Sequence, residues 1–239
     1  MDHVDVAPGF FGKVTSHGDF VSRRLPPAFL DKWDVWLQQG LQTSKEQLGA
    51  AWLDTYLTSP IWRFALSNDV VDGHAWAGVL MPSVDRVGRH FPLMIAACVP
   101  TQGPLLHWLA DGETWYDELE ALALSSLENN FLLEDFDAAL QAKSMLPVPI
   151  GFPEPAPVTT GGWCLPINGL EQIQANMQTL TVDIAQNLLA GHSLWWTDGS
   201  PHVLPSVLVC RGLPAPLAFT AMLDGSWLKC GWQLPALKL

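Results

Sequence analysis

The stretch that decides the fold is WAGVLMPSVDRVGRHFPLMIAACV, residues 76–99. It holds two runs, residues 76–81 and 93–99, that are apolar at nearly every position. Such runs predict strands with both faces covered by other parts of the protein. Residues 82–91, which connect them, are the most polar piece of this neighbourhood and are short enough to join antiparallel neighbours. We therefore predict that the two runs pair antiparallel at the centre of the dominant sheet.

The flanking sequence predicts further helices and strands. Residues 61–66 alternate, with Trp62, Phe64 and Leu66 on one face and Arg63 on the other, which indicates a strand covered on one side only. Apolar residues repeat at spacings of three and four in several segments and predict helices. These segments are residues 28–48, 50–57, 104–142 with a break near 129–130, 169–189 and 215–223. Residues 193–197 and 205–210 predict a second hairpin.

Together these elements predict an α/β protein of the α+β type. Its central sheet should be mostly antiparallel, with about five or six strands, and layered with helices. The segment 145–166 carries six prolines, so we interpret it as a surface excursion within one fold. The chain 1–239 is accordingly expected to form a single domain. Its length and its 49% hydrophobic content suffice for a core without disulfides or metal.

The charge balance limits the classes of partner. The chain has 24 acidic and 12 basic residues and a net charge of -12, which argues against nucleic acid as a ligand. No apolar run approaches the roughly 20 residues of a membrane span, so no transmembrane segment is expected. The first residues, MDHVD, are acidic where a secretory signal is basic. These features predict a cytoplasmic protein.

Sequence motifs for catalysis and for cofactors are missing. The chain has no GxGxxG, GxxxxGK[ST], HExxH or GxSxG pattern. Its cysteines, at positions 98, 164, 210 and 230, lack the CxxC spacing of a metal site. We therefore expect no catalytic residues, no cofactor and no metal.

Two polar segments remain as candidate sites. Residues 9–24, GFFGKVTSHGDFVSRR, place Lys13 and Asp19 among the aromatics Phe10, Phe11 and Phe20, which are expected to be buried. Residues 82–90, PSVDRVGRH, place four polar side chains at the end of the central hairpin: Ser83, Asp85, Arg86 and Arg89.

This hairpin end has two interpretations. In one, it is a structural turn in which Asp85 accepts backbone hydrogen bonds and pairs with a neighbouring arginine. In the other, it is a rigid recognition loop. The second interpretation makes six residues candidates for partner binding: Lys13, Asp19, Ser83, Asp85, Arg86 and Arg89.

Several separated segments resemble the TagF family, also called ImpM, of type VI secretion-associated proteins. They are GFFGKVTSHGDFVSRRLP (residues 9–26), WLDTYLTSPIWRF (52–64), AGVLMPSVDRVGRHFPL (77–93), SLWWTDGS (193–200), LVCRGLP (208–214) and FTAMLDG (219–225). As a set they are specific, because they occur in the family's order along nearly the whole chain. One departure is Val14-Thr15, where the family commonly has Leu-Pro.

The resemblance implies a longin-like fold and a non-enzymatic, cytoplasmic accessory protein. It implies a negative regulator that acts after translation and holds the secretion machine inactive, by contacting the forkhead-associated (Fha) scaffold protein. Two other classes of function stay open at this point. One is a structural component of the assembled machine, and the other is an unrecognised hydrolase.

Overall fold

Seven strands form one sheet in the described part of the protein. The computed structural model describes residues 7–99, 112–143 and 188–233, together with Leu105 and Trp108. The strands are β1 (Gly9–Gly12), β2 (Val21–Arg23), β3 (Trp62–Leu66), β4 (Ala75–Met81), β5 (Leu93–Val99), β6 (His192–Thr197) and β7 (Ser206–Arg211). Their order across the sheet is β2-β1-β5-β4-β3-β6-β7. Every neighbouring pair is antiparallel.

The pairing of β4 with β5 at the centre of this sheet confirms the prediction from residues 76–99. Its register runs from Ala75 opposite Val99 to Met81 opposite Leu93. The predicted class, an antiparallel sheet layered with helices, is also confirmed. The count of five or six strands is too low, because β1 and β2 have only four and three residues and lack an apolar run.

The helices lie where the apolar periodicity predicts them. They are α1 (Pro27–Leu48), α2 (Trp52–Leu57), α3 (Glu113–Ser125), α4 (Leu133–Gln141) and α5 (Pro216–Asp224). Both α1 and α5 begin with a proline, which the first turn accepts because its N–H groups have no helical partner. Helix α5 stops at Gly225, whose φ of 75° suits a residue without a side chain.

Each face of the sheet carries its own hydrophobic core. Helices α1, α2 and α5 cover one face, where Trp33 stacks on Phe29 and lies 5.0 Å from the ring of Phe64. Helices α3 and α4 cover the other face, where Tyr116 and Phe136 pack against strand side chains. The protein therefore has three layers, and the central strands are buried on both sides.

Strand β3 differs from its sequence prediction. All five of its residues are buried, including Arg63. The Arg63 guanidinium donates to Glu120 at 2.6 Å and to Asp117 at 2.7 Å, both on α3. The hydrogen bond to Glu120 is the main cause that raises the pKa of Arg63. The prediction that this strand is covered on one side only is wrong, because Arg63 is buried within ion pairs rather than solvated.

The sheet includes strands from both sides of the proline-rich segment. Strand β6 pairs with β3, so residues 192–197 continue the sheet that the first 100 residues begin. The predicted excursion at 145–166 lies outside the described residues, as does most of the predicted helix at 169–189. Within the described ranges, no helix has the length and apolarity needed to cross a membrane.

Trp62 tests the packing of β3 against α5. Its side chain is 2% exposed, and its indole N–H donates to the carbonyl of Met222 at 3.0 Å. Replacing Trp62 with Ala should reduce the free energy of unfolding by about 3–5 kcal/mol, as is usual for a large aromatic lost from a core. The measurement is chemical denaturation. Trp62→Phe, which keeps a ring, should cost less, and an unchanged midpoint for Trp62→Ala would contradict this packing.

Candidate interaction site at the tip of the β4–β5 hairpin

The segment joining β4 to β5, residues 82–91, is called the hairpin tip. Val84 and His90 form an isolated antiparallel bridge, so the two arms of the tip stay paired beyond the strands. Between this bridge and the turn, the Asp85 N–H donates to the carbonyl of Arg89 at 3.0 Å. The turn closes at Gly88, whose φ is 85°. The tip is therefore an ordered turn.

Asp85 organises this turn from inside. Its Oδ1 accepts hydrogen bonds from the backbone N–H groups of Val87 at 3.0 Å and Arg89 at 2.9 Å. Its Oδ2 accepts from Lys13 Nζ at 2.8 Å and Arg89 Nε at 2.7 Å. The side chain of Asp85 is fully buried. The interpretation of Asp85 as the acceptor that holds a structural turn is thus confirmed.

Two opposing effects set the protonation of Asp85. Burial raises its pKa, but the hydrogen bonds from Lys13, from Arg89 and from the Val87 backbone together lower it more. The net result is a pKa well below the usual range of an aspartate. The carboxylate is therefore charged at neutral pH, and Lys13 and Arg89 compensate its charge.

Lys13 reaches the tip because β1 ends beside it. At Gly12 the φ is 144°, and a Cβ atom would stand 2.1 Å from the carbonyl oxygen of Pro92, so this position requires glycine. The next residue, Lys13, is 6% exposed. Its backbone carbonyl accepts a hydrogen bond from Ser83 Oγ at 2.8 Å. Tyr56 Oη donates to the Ser83 carbonyl and accepts from the Ser83 N–H, both at 2.9 Å.

A second turn, residues 15–20, lies against the tip and is called the N-terminal turn. The Arg86 N–H donates to the carbonyl of His17 at 2.9 Å. Arg89 Nη2 donates to the carbonyl of Gly18. On the other side of this turn, Thr15 Oγ1 donates to the carbonyl of Ser126, just beyond α3. The N-terminal turn therefore bridges the hairpin tip and the α3 layer.

The six residues singled out from the sequence divide into two groups. Lys13, Ser83 and Asp85 are buried, whereas Asp19, Arg86 and Arg89 are exposed. The structure brings Lys13 and Asp19 beside the tip, as the sequence hypothesis required. The buried three position the loop, so only the exposed three are accessible to another molecule.

Two exposed apolar side chains accompany the arginines. Phe20 is 44% exposed, although the sequence predicts it to be buried. It stacks on Phe11, with ring centroids 5.5 Å apart, and meets the edge of Phe91 at 4.8 Å. Val87, at the end of the tip, is 65% exposed. The sequence did not point to these two residues, because an aromatic and a valine near strands are usually core.

The Arg86 side chain is the least constrained group at the site. Its guanidinium makes no hydrogen bond or ion pair with any side chain in the described part of the chain. Arg89, in contrast, is held by Asp85 and Gly18. No group of three or more potential metal ligands occurs among the described residues. The accessible chemistry of the tip is therefore that of cations beside apolar surface.

The fold and the tip define a three-layer α/β protein that presents a rigid, basic hairpin end. Comparison with known proteins gives its family. A model described as TagF N-terminal domain, Type VI secretion system-associated, matches residues 9–143, from β1 to just beyond α4. Since this is more than half of the chain, the protein belongs to the TagF family, in agreement with the resemblance of its sequence.

A solved structure is similar over nearly the full length. It is the crystal structure of PA0076 from Pseudomonas aeruginosa PAO1, which is 37% identical in sequence. The alignment covers 97% of this chain and 98% of that one, with a TM-score of 0.78. No curated protein matches the chain.

The buried Asp85 predicts a pH dependence of stability. Its folded-state pKa lies below the value of about 3.9 of an unfolded aspartate, so the unfolded chain binds more protons between these two values. The stability due to the Asp85 carboxylate is therefore present above about pH 4 and is lost as the pH falls toward the lowered folded-state pKa.

Thermal melts of wild type and Asp85→Asn check this expectation. At pH 7 the variant should melt several degrees lower, because Lys13 loses its charged partner. The difference should shrink as the pH falls below about 4. Asp19→Asn is the control, since the exposed Asp19 carboxylate accepts a hydrogen bond from the Phe20 N–H alone among the described groups and should melt like wild type. A difference between wild type and Asp85→Asn that stays constant with pH would contradict the lowered pKa.

Proposed function

We propose that this protein is a non-enzymatic accessory protein of the type VI secretion system that restrains assembly of the apparatus after translation. In this proposal it acts in the cytoplasm by binding the Fha scaffold protein through the hairpin tip. Membership of the TagF family supports the association with the secretion system. The regulatory role and the partner come from the family resemblance of the sequence.

The observation that carries the binding role is the exposure of two arginines on a fixed loop. The chain has only 12 basic residues and a net charge of -12, so exposed cations are scarce. Lys13 and Arg89 together compensate Asp85, so the Arg86 guanidinium is the cation at the tip without an ion-pair partner among the described residues, beside the exposed side chain of Arg89. Phe20 and Val87 add exposed apolar area beside them. Arginine and aromatic side chains are enriched among the residues that dominate interface energies.

The rigidity of the tip favours binding for a second reason. A loop that is disordered before binding must be ordered at a cost of about 0.5–1.5 kcal/mol for each immobilised side chain. The turn around Asp85 is already closed by hydrogen bonds, so little of this cost remains. We propose that Arg86, Arg89 and Asp19 contact the partner, while Lys13, Ser83 and Asp85 are positioning residues.

We also propose that the chain acts as one domain. The family model ends at residue 143, yet β6 and β7 extend the same sheet through the pairing of β6 with β3. A fragment limited to residues 9–143 would leave the outer edge of β3 unpaired. The binding experiments therefore use the full chain.

Overproduction distinguishes a regulator from a structural component. In a strain with an active type VI system, excess of this protein should stop secretion if it restrains assembly, because it would occupy its partner. A structural component in excess should leave secretion active. The measurement is the amount of secreted substrate in the culture medium, and continued secretion at high levels of the folded protein would contradict the regulatory role.

Charge reversal at Arg86 tests the binding surface. Since the Arg86 side chain holds nothing within the described protein, Arg86→Glu should preserve the fold while weakening binding to the Fha protein by more than tenfold, or about 1.4 kcal/mol. An ordinary exposed ion pair contributes about 0–1 kcal/mol. Isothermal titration calorimetry with purified partner gives the affinity, and circular dichroism melting checks the fold.

Arg211→Glu is the matched control, because Arg211 is an exposed arginine on β7, an edge strand separated from β4 by β3 and β6. Its binding should equal that of wild type. Arg89→Glu is less informative, since it also removes hydrogen bonds to Asp85 and Gly18. Unchanged binding by Arg86→Glu would remove the tip from the interface and leave it a purely structural turn.

A further inference from the structure

A second accessible surface lies in the helical layer formed by α3 and α4, between these two helices. A groove of about 250 Å³ runs between these helices. Its apolar lining comes from Leu122, Phe131, Leu132, Phe136 and Ala139. Small-molecule sites usually have about 300–1,000 Å³, so this groove suits a few protein side chains better than a cofactor.

Part of the apolar lining of the groove is open to solvent. Leu132, at the start of α4, is 63% exposed, and the neighbouring Phe131 is half-buried. Exposed apolar side chains that line a groove differ from the scattered single residues that are normal on a protein surface. The floor of the groove is held in place by core packing, because Phe136 packs edge-on against Phe10 of the core and against Phe131.

The charge of the groove identifies the chemistry of its occupant. Residues 112–143 contain eight acidic side chains and a single basic one, Lys143. Five of the acids are paired: Asp117 and Glu120 with Arg63, Asp137 with Arg24, Glu134 with Arg23, and Glu118 with Lys143. The two acids that line the groove, Glu128 and Asp135, have no ion-pair partner in the described ranges. Their charges are available to a basic ligand.

We propose that the α3–α4 groove is a docking surface for an amphipathic helix of another protein. The apolar face of that helix enters the groove, and its lysines or arginines meet Glu128 and Asp135. This is the helix-in-groove mode of recognition, in which apolar side chains spaced three and four residues apart occupy a hydrophobic channel. The inference goes beyond the proposed function, because it concerns a different surface with the opposite charge.

The residues outside the described ranges do not supply such an occupant. Its undescribed residues, 1–6, 100–111 and 144–187 apart from Leu105 and Trp108, contain no lysine or arginine. Residues 234–239 contain one, Lys238. None of these segments therefore brings several basic side chains to Glu128 and Asp135.

The test uses two synthetic helical peptides of about 15 residues, the length at which isolated helices begin to form. Both carry leucines at helical spacing, and they differ only in having lysine or glutamate at the flanking positions. Fluorescence anisotropy with the full chain should give at least tenfold tighter binding of the lysine peptide. Raising the ionic strength from about 0.05 M to 0.5 M should weaken its binding, because salt screens exposed charges. Equal binding of the two peptides, or of neither, would overturn the proposal.

Variants place the binding in the groove. Glu128→Lys combined with Asp135→Lys should weaken binding of the lysine peptide at least tenfold, and Leu132→Ser should also weaken it. Glu113→Lys is the matched control, since Glu113 is exposed at the other end of α3, and it should bind like wild type. Arg86→Glu at the hairpin tip should also bind like wild type. Binding that survives the double variant would overturn the proposal.

Two further measurements keep the outcome clear. If the double lysine variant fails to fold by circular dichroism, Glu128→Gln with Asp135→Asn removes the charges without reversing them, and the same loss is expected. Analytical ultracentrifugation tests the remaining occupant, a second copy of the chain. If the wild-type chain is a dimer and Glu128→Lys makes it a monomer, the groove binds a second copy, and the assignment to a different protein is overturned. A monomeric wild-type chain supports the assignment.

Discussion

The constraint that shapes this protein is the burial of β4 and β5 on both faces. Every residue of β4 is buried, and β5 is nearly as enclosed. A strand pair of this kind is stable only between two layers, so helices must cover the sheet above and below. The covering helices come from different parts of the chain, with α1, α2 and α5 on one face and α3 and α4 on the other. The central hairpin is therefore covered only when these separate segments pack on both faces of the sheet.

The same burial explains why the hairpin tip can be both polar and rigid. Its two ends are fixed by the strands, and Asp85 lies at the point where the tip meets Lys13, the residue that follows β1. A buried ion pair adds little net stability, because desolvation of both charges opposes their attraction. It does specify geometry, since without Asp85 the buried Lys13 ammonium would lose its carboxylate partner. The Lys13–Asp85 pair thus fixes where the tip lies, and Arg86 projects from a defined position.

The sequence predicts the periodic parts of this fold and misses what depends on distant contacts. Apolar runs and helical spacing predict β4, β5, α1 and the break between α3 and α4. Strands β1 and β2 are too short to leave a pattern; β1 pairs with the edge of β5 that β4 leaves open, and β2 pairs with β1. Arg63 lies at a position of the alternating pattern that usually faces solvent. Its partners on α3, which bury it, lie more than fifty positions away in the sequence. The turn around Asp85 is local and was predictable, whereas its partner Lys13 is 72 residues distant.

The N-terminal turn joins the two accessible surfaces of opposite charge. Through the His17 carbonyl it holds the basic tip, and through Thr15 it is hydrogen-bonded to the residue that follows α3, next to the acidic groove. Both links are short and involve backbone carbonyls, so the two surfaces hold a fixed relative position. A partner with an acidic patch and a basic helix could engage both at once, and the second contact would then form at a high effective concentration. A protein whose charges are reversed would be repelled at both surfaces. Such an arrangement discriminates between partners in addition to strengthening the binding of one.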